Sequence, residues 1–185
     1  LWAQTEPEDV KVEANKFEDL FYESLLQKGT ENYDKALTAL DKADKFKPNN
    51  ATVNYELGKN YLALKDYKNA YNYFENAAKI DPKNKWFWIG MYDVTYETKN
   101  FEQGITVINT LIEFDNKYKE DLASLYMATK QLEKALVLIQ ELDETYGKSD
   151  RRELFKSQIL SDGKFQNVEI KNLVSLIEKY PNEEA

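Results

Sequence analysis

The 185-residue chain contains no cysteine and no histidine. Those absences exclude disulfides, thiolate nucleophiles, imidazole general bases and nearly all transition-metal sites. Glycine and proline are scarce, at six and four residues, so few positions interrupt a helix. No apolar run approaches the ~20 residues of a membrane-spanning helix; the densest, Trp86 to Tyr92, is far shorter. Neither a glycine-rich phosphate loop nor a G-x-S-x-G nucleophile turn occurs. Acidic residues such as Glu141 with Asp143-Glu144, and Glu183-Glu184, are the remaining candidates for carboxylate catalysis or calcium. Charge runs on helices are ordinarily solvated faces, however. The chain is therefore expected to be no enzyme and to carry no cofactor and no metal.

What is present is a core-forming composition: 42% hydrophobic and 14% aromatic residues, too apolar for a disordered chain. The net charge of −8, from 25 basic and 33 acidic residues, makes a poor general partner for phosphate backbones, so nucleic acid is not an expected ligand. The chain opens on Leu1-Trp2-Ala3-Gln4 and turns abruptly acidic at Thr5-Glu6-Pro7-Glu8-Asp9. That start has the look of a secretory leader stripped of its apolar core. Residues 1–9 are read as a leader remnant or flexible tail, and an exported or periplasmic bacterial location is expected, with the cytoplasm as the alternative.

The stretch from Ala51 to Asn84 organises the rest. Leu57-Gly58, Tyr61, Tyr67, Ala70, Phe74, Ala77 and Pro82 stand in an order that suits two antiparallel helices. Gly58 and Ala70 are small enough for close approach; Leu57, Tyr61, Phe74 and Ala77 fill the seam. Lys65-Asp66 turns the chain, and Asp81-Pro82 ends the second helix. The pattern recurs. Tyr33, Ala36, Ala43, Phe46 and Pro48 each precede a counterpart in the central stretch by 34 residues, and Phe101 and Gly104 follow Tyr67 and Ala70 by 34. A fourth copy, with Leu122-Ala123, Tyr126, Leu132 and Ala135, comes after 31, so about three residues are missing from a connection. Ile139 and Leu142 take the Phe74 and Ala77 places there, and Gly147 closes the helix. From Ser149 to Pro181 a degenerate fifth copy carries Phe155 and Ile159, a Ser161–Lys164 turn and a closing apolar helix from Val168 to Tyr180.

These residues and the 34-residue period resemble the tetratricopeptide repeat. Asn54 stands where that pattern has tryptophan, and Trp88 falls on the same place one period later. The resemblance implies an all-α, right-handed superhelical array of about five helix-turn-helix pairs. The boundaries are residues 10–50 with an extended first helix reaching back toward Pro7, 51–84, 85–118, a shortened 119–148, and 149–185 as a degenerate repeat or capping hairpin. It also implies that Tyr67, Phe101, Leu57, Trp88 and Phe74 are core, and that Leu111, Ile108 and Phe114 form the inner face of the sixth helix.

In this family the first helix of each pair lines the concave wall. Here that points to Phe21, Leu25 and Lys28; Tyr55, Lys59 and Leu62; Trp86, Ile89, Asp93, Tyr96 and Glu97; and Glu120, Ser124 and Met127 as groove residues. An aromatic wall with isolated charges suits a peptide or protein segment. The same apolar positions on Phe21, Leu62 and Ile89 equally suit packing between neighbouring helices. The lysines and asparagines with which some relatives clamp a terminal carboxylate are absent. The resemblance implies a non-catalytic protein–protein interaction scaffold. An architectural or self-assembly segment of a longer exported protein, associating through its C-terminal helix, is the alternative, and an RNA-reading helical repeat a remoter one.

Overall fold

The computed structural model describes residues 8–161, with side chains from Asn15 onward. The expected leader remnant and the closing Val168–Tyr180 helix with its self-association surface thus lie outside, or almost wholly outside, the described residues. Within them the chain is all helix, with no strand. The order is α1 (Glu8–Gly29), α2 (Tyr33–Phe46), α3 (Ala51–Ala63), α4 (Tyr67–Ile80), α5 (Lys85–Glu97), α6 (Phe101–Phe114), a 3-10 turn at Asn116–Tyr118, α7 (Lys119–Ala128), α8 (Leu132–Tyr146) and α9 (Asp150–Leu160). The extended first helix starts immediately after Pro7, as the sequence suggested.

The starts of α2, α4 and α6 are 34 residues apart, and so are those of α3 and α5. Local chemistry sets these boundaries. Asn50, Asp66, Asn84, Asn100 and Ser149 each accept a backbone N–H of the first helical turn on their side chain, which satisfies donors that the helix leaves open. Each turn within a helix pair places one residue in the left-handed region: Glu31, Lys65, Lys99 and Lys130, with φ between 55° and 61°. At the α3–α4 turn the Asp66 N–H donates to the Tyr61 carbonyl and the Lys65 N–H to the Leu62 carbonyl. That pair of bonds closes a helix C-terminus in the way usually served by glycine. The turns are thus repeated in geometry while lacking the residue that normally signals it.

The missing residues of the fourth period are accounted for by one connection. Four residues, Asp81–Asn84, join α4 to α5, whereas Asp115 alone separates α6 from the 3-10 turn. Asp115 caps that turn by accepting the Lys117 N–H. The 3-10 turn then runs straight into α7, and the two together are thirteen residues long, the length of α3 and of α5.

The described residues fall into two compact units, divided between Lys99 and Asn100. In the first, α1 packs on α2, α2 on α3, α3 on α4, and α4 on α5. Phe17, Leu40, Ala43, Val53 and Leu57 form a continuous buried cluster, flanked by Phe21, Leu20, Leu37, Tyr61 and Tyr73. Phe74 is buried in the next layer between two glycines. A Cβ on Gly58 of α3 would come within 2.7 Å of its ring, and one on Gly90 of α5 within 2.6 Å. Bare backbone on both sides is what lets a phenylalanine fit between consecutive pairs. Gly58 is the small residue of the sequence pattern; Gly90 lies outside it.

In the second unit α6 packs on α7, α7 on α8, and α8 on α9. Ala123, Ala135, Leu136, Ile139 and Ile159 form its buried cluster, with Tyr126, Met127, Leu132 and Phe155 against it.

Several expected core residues sit nearer the surface. Tyr67, Phe101 and Trp88 are only half-buried. Their polar or bulky ends reach the edge of the seam, and the Trp88 indole N–H donates to the Pro82 carbonyl at 3.0 Å. Phe114, expected on the inner face of α6, is 38% exposed; it is the last helical residue, one turn beyond the buried Leu111. Leu57 and Phe74 are core as expected.

Candidate functional site

The first helices of the second and third pairs, α3 and α5, are themselves neighbours. Between them lies an open groove. One part, ≈ 330 Å³, is lined by Tyr55, Lys59, Leu62, Phe74, Ile89, Gly90 and Asp93. The adjoining part, ≈ 390 Å³, is lined by Leu62, Lys65, Tyr67, Asp93, Tyr96 and Glu97. Leu62 and Asp93 belong to both, so the two parts are continuous. Helical spacing explains the lining: Tyr55, Lys59 and Leu62 follow one another by four and three residues, as do Ile89, Asp93 and Tyr96, and such residues share one helix face.

The floor is apolar and aromatic. The Tyr55 ring lies 5.7 Å from that of Phe74 and 5.3 Å from that of Phe87, both tilted. With no Cβ at Gly90, the buried Phe74 ring lies directly beneath the groove.

The charges are distributed unevenly. At the Tyr55 end, Glu56 is buried, with a side-chain exposure of 10%, and takes two ammonium donors: Lys28 from α1, and Lys59 at 3.2 Å. Burial opposes the charge on Lys28, but its bond to Glu56 prevails and holds its pKa above the usual lysine range. Lys59 is pushed down, by burial first and by the nearby Lys28 second, and its ammonium also sits 5.1 Å above the Tyr55 ring. At the opposite end, Asp93 and Glu97 receive no hydrogen bond or ion pair from any described residue. The Asp93 carboxyl remains in contact with solvent, yet the walls of the groove and then the Glu97 charge raise its pKa above 3.8.

The groove thus collects Tyr55, Lys59, Leu62, Ile89, Asp93, Tyr96 and Glu97 of the residues named from sequence. The others lie elsewhere. Phe21 stacks on Phe17 at 6.0 Å and packs against the α1–α3 core cluster. Trp86 is 55% exposed on the first turn of α5, with the Lys85 ammonium 5.5 Å over its ring. Met127 packs against the core of the second unit. Phe74, Gly90, Lys65 and Tyr67 also line the groove, and sequence reasoning missed them as lining. Phe74 and Tyr67 read as core landmarks there, and a glycine on a helix carries no side-chain signal.

Of the acidic residues considered for catalysis or calcium, Asp143 and Glu141 make structural ion pairs, and Glu183-Glu184 lie outside the described residues. Asp143 of α8, nearly buried, accepts from Arg152 Nε at 2.6 Å and from Lys156, both on α9. Arg152 also donates to Glu120 of α7 and to the Gly147 carbonyl. Glu141 is bonded by Lys119 at 2.6 Å. Burial works to raise the Asp143 pKa, but its bonds to Lys156 and Arg152 outweigh it and hold the carboxyl below its usual range. Among the described residues no group of acidic side chains is placed to hold a metal ion, and no helix is long and apolar enough to cross a membrane.

Comparison with known proteins agrees with this architecture. The tetratricopeptide repeat family model matches residues 61–121, and one for regulator of microtubule dynamics protein 1-3 matches residues 12–86. No curated protein sequence matches the chain. Among solved structures it is similar to a double mutant of MamA, a protein of Desulfovibrio magneticus RS-1, with a TM-score of 0.66 and 17% identity over 90% of this chain and 97% of that one. It is also similar to YrrB, described as a tetratricopeptide protein with an unusual peptide-binding site, with a TM-score of 0.64 and 17% identity over 89% of this chain and 86% of the other. A tetratricopeptide repeat protein from Parabacteroides merdae gives 0.69 and 18% over 91% and 68%. At such identities the likeness is one of fold.

Proposed function

From the premise that this chain is a tetratricopeptide-repeat protein, we propose that it is a non-catalytic interaction scaffold that takes a peptide or protein segment along the groove between α3 and α5. The observation that carries this reading is the convergence of Tyr55, Lys59 and Leu62 with Ile89, Asp93 and Tyr96 on one continuous groove. Apolar floor, aromatic walls and a few charges at the ends are what an extended segment needs: buried area for affinity and fixed polar groups for register. The volume suits a few side chains in sequence rather than an engulfed metabolite, because the groove is open along its length.

Selection of random short peptides displayed on phage against the purified full chain tests the proposal. Leu62→Lys places a charged, longer side chain in the middle of the groove, on a helix face that is only half-buried, so the fold should persist. Selected peptides are expected to bind this variant at least about tenfold more weakly, the loss associated with a buried apolar contact at an interface centre. Undiminished binding of the same peptides to Leu62→Lys would place their site elsewhere and end the reading.

A further inference from the structure

If the α3–α5 groove holds a protein segment, as proposed above, its charge distribution says which kind. We infer that it selects segments carrying a lysine or arginine, whose cationic head lies against Asp93 and Glu97 while a neighbouring apolar side chain covers Leu62 and Ile89.

Three independent features converge on that end of the groove. Asp93 and Glu97 lie four residues apart on one face of α5 and are partnered by no described residue. Two like charges at that spacing repel each other. Glu97 is also the last residue of α5 and Asp93 is one turn back, so both stand in the negative field of the helix C-terminus. The last turn of α5 contains no basic residue to offset it. The C-terminal turn of α3 opens on the same part of the groove through Leu62 and Ala63 and has no basic residue either. Two helix ends and two carboxylates therefore give one sign of potential to a concave wall, the arrangement that attracts a cation most strongly. Lys65 lies at the rim of this part and forms no ion pair with either carboxylate. Burial against the groove walls first, and the Glu97 charge second, raise the Asp93 pKa.

The site offers more than charge. Tyr96 and Tyr67 flank the carboxylates, and an arginine or lysine head can lie on such a ring face as well as pair with an acid. The neighbouring apolar floor makes the recognised unit a basic residue beside an aliphatic or aromatic one. At the other end, two ammonium groups share the single Glu56 carboxylate. The excess positive charge there disfavours a second basic residue at that point, so the recognised segment has a direction.

The experiment repeats the phage selection in parallel on the full chain, on Asp93→Asn/Glu97→Gln and on Asp93→Lys. Both carboxylates are solvent-accessible and unpaired, so the variants should melt with the parent. On the parent, the recovered peptides are expected to be enriched in lysine or arginine next to an apolar residue. Those peptides should bind the double variant about three- to tenfold more weakly, the range for solvent-accessible ion pairs acting together. Binding to the parent should weaken between low and high salt, and this salt response should be largely lost in the double variant. Asp93→Lys should shift the recovered sequences toward aspartate and glutamate. Peptides that depend on Leu62 but show no basic enrichment, or that bind the double variant as tightly as the parent, would overturn this inference and leave the groove reading standing. Failure to recover any peptide, or recovery of peptides indifferent to Leu62→Lys, would overturn both.

Discussion

At the scale of single residues, the glycines separate two roles of one residue type. Gly58 and Gly90 are sites of contact: a methyl group at either would meet the buried Phe74 ring at 2.6–2.7 Å. Gly58→Ala should gain about 1 kcal/mol in helix propensity and lose more to overpacking, about 1–3 kcal/mol, so a net fall in melting temperature is expected. Gly29, at the end of α1, faces open space: a methyl group there would meet no atom within 4 Å. Gly29→Ala should therefore stabilise by about 0.5 kcal/mol. Urea denaturation of the two variants checks the pair, and a stabilised Gly58→Ala would contradict the wedge. Asn60 carries a different local conflict. It is buried on α3, and its Nδ2 donates to the Glu56 carbonyl at 2.8 Å while its Oδ1 meets no donor. The equivalent places in the following pairs hold Val94 and Leu125, both buried. Asn60→Leu should therefore stabilise by about 1 kcal/mol, since an unsatisfied buried acceptor costs about that much. A loss of stability would show that the amide is paired in solution.

At the scale of elements, helix pairs are held by repeated turn geometry more than by repeated turn residues. Glu31, Lys65, Lys99 and Lys130 all occupy the left-handed region where a side chain is strained. Lys130→Gly should relieve that strain and, after the added freedom of the unfolded chain, stabilise the second unit by about 0.5–1 kcal/mol. An unchanged or lowered urea midpoint would sink that account. These turns were visible in the sequence only through the period. The left-handed residue itself was not, because lysine carries no such signal. The lost three residues were legible as a change of spacing, but their location in the α6–α7 connection was not. Asp115 had to be seen capping a 3-10 turn that extends α7 backward.

At the scale of the molecule, α9 is tied to α7 and α8 by charge as much as by its apolar face. Arg152 is buried and spans Asp143, Glu120 and the Gly147 carbonyl. Asp143→Asn leaves the buried Arg152 paired only with Glu120 and the Gly147 carbonyl, so it should destabilise the second unit by about 2 kcal/mol at neutral pH, the scale of a lost charged hydrogen bond. The sign of the pH effect follows from the lowered native pKa of Asp143. Its contribution is fully present above 3.8, the ordinary value, and is lost as pH falls through the lower native one. Urea midpoints measured at neutral pH and near pH 3 should therefore converge more in Asp143→Asn than in the parent; equal acid sensitivity would show that the network does not titrate with folding.

The period, the pairing of helices, the small residue at Gly58 and the seam place of Phe74 could all be read along the chain, because each depends on a motif repeated at 34. So could seven groove residues, which the resemblance to the repeat family placed on the inner faces of α3 and α5. Folding was needed to separate those seven from Phe21, Trp86 and Met127, which stand at comparable helical positions. Whether such a position faces a groove, a neighbouring helix or open solvent depends on what is packed beside it. The same holds for Gly90 beneath Phe74 and for the joining of Glu120, Asp143 and Arg152. These contacts link residues far apart in sequence, and no local pattern encodes a partner that only close packing supplies.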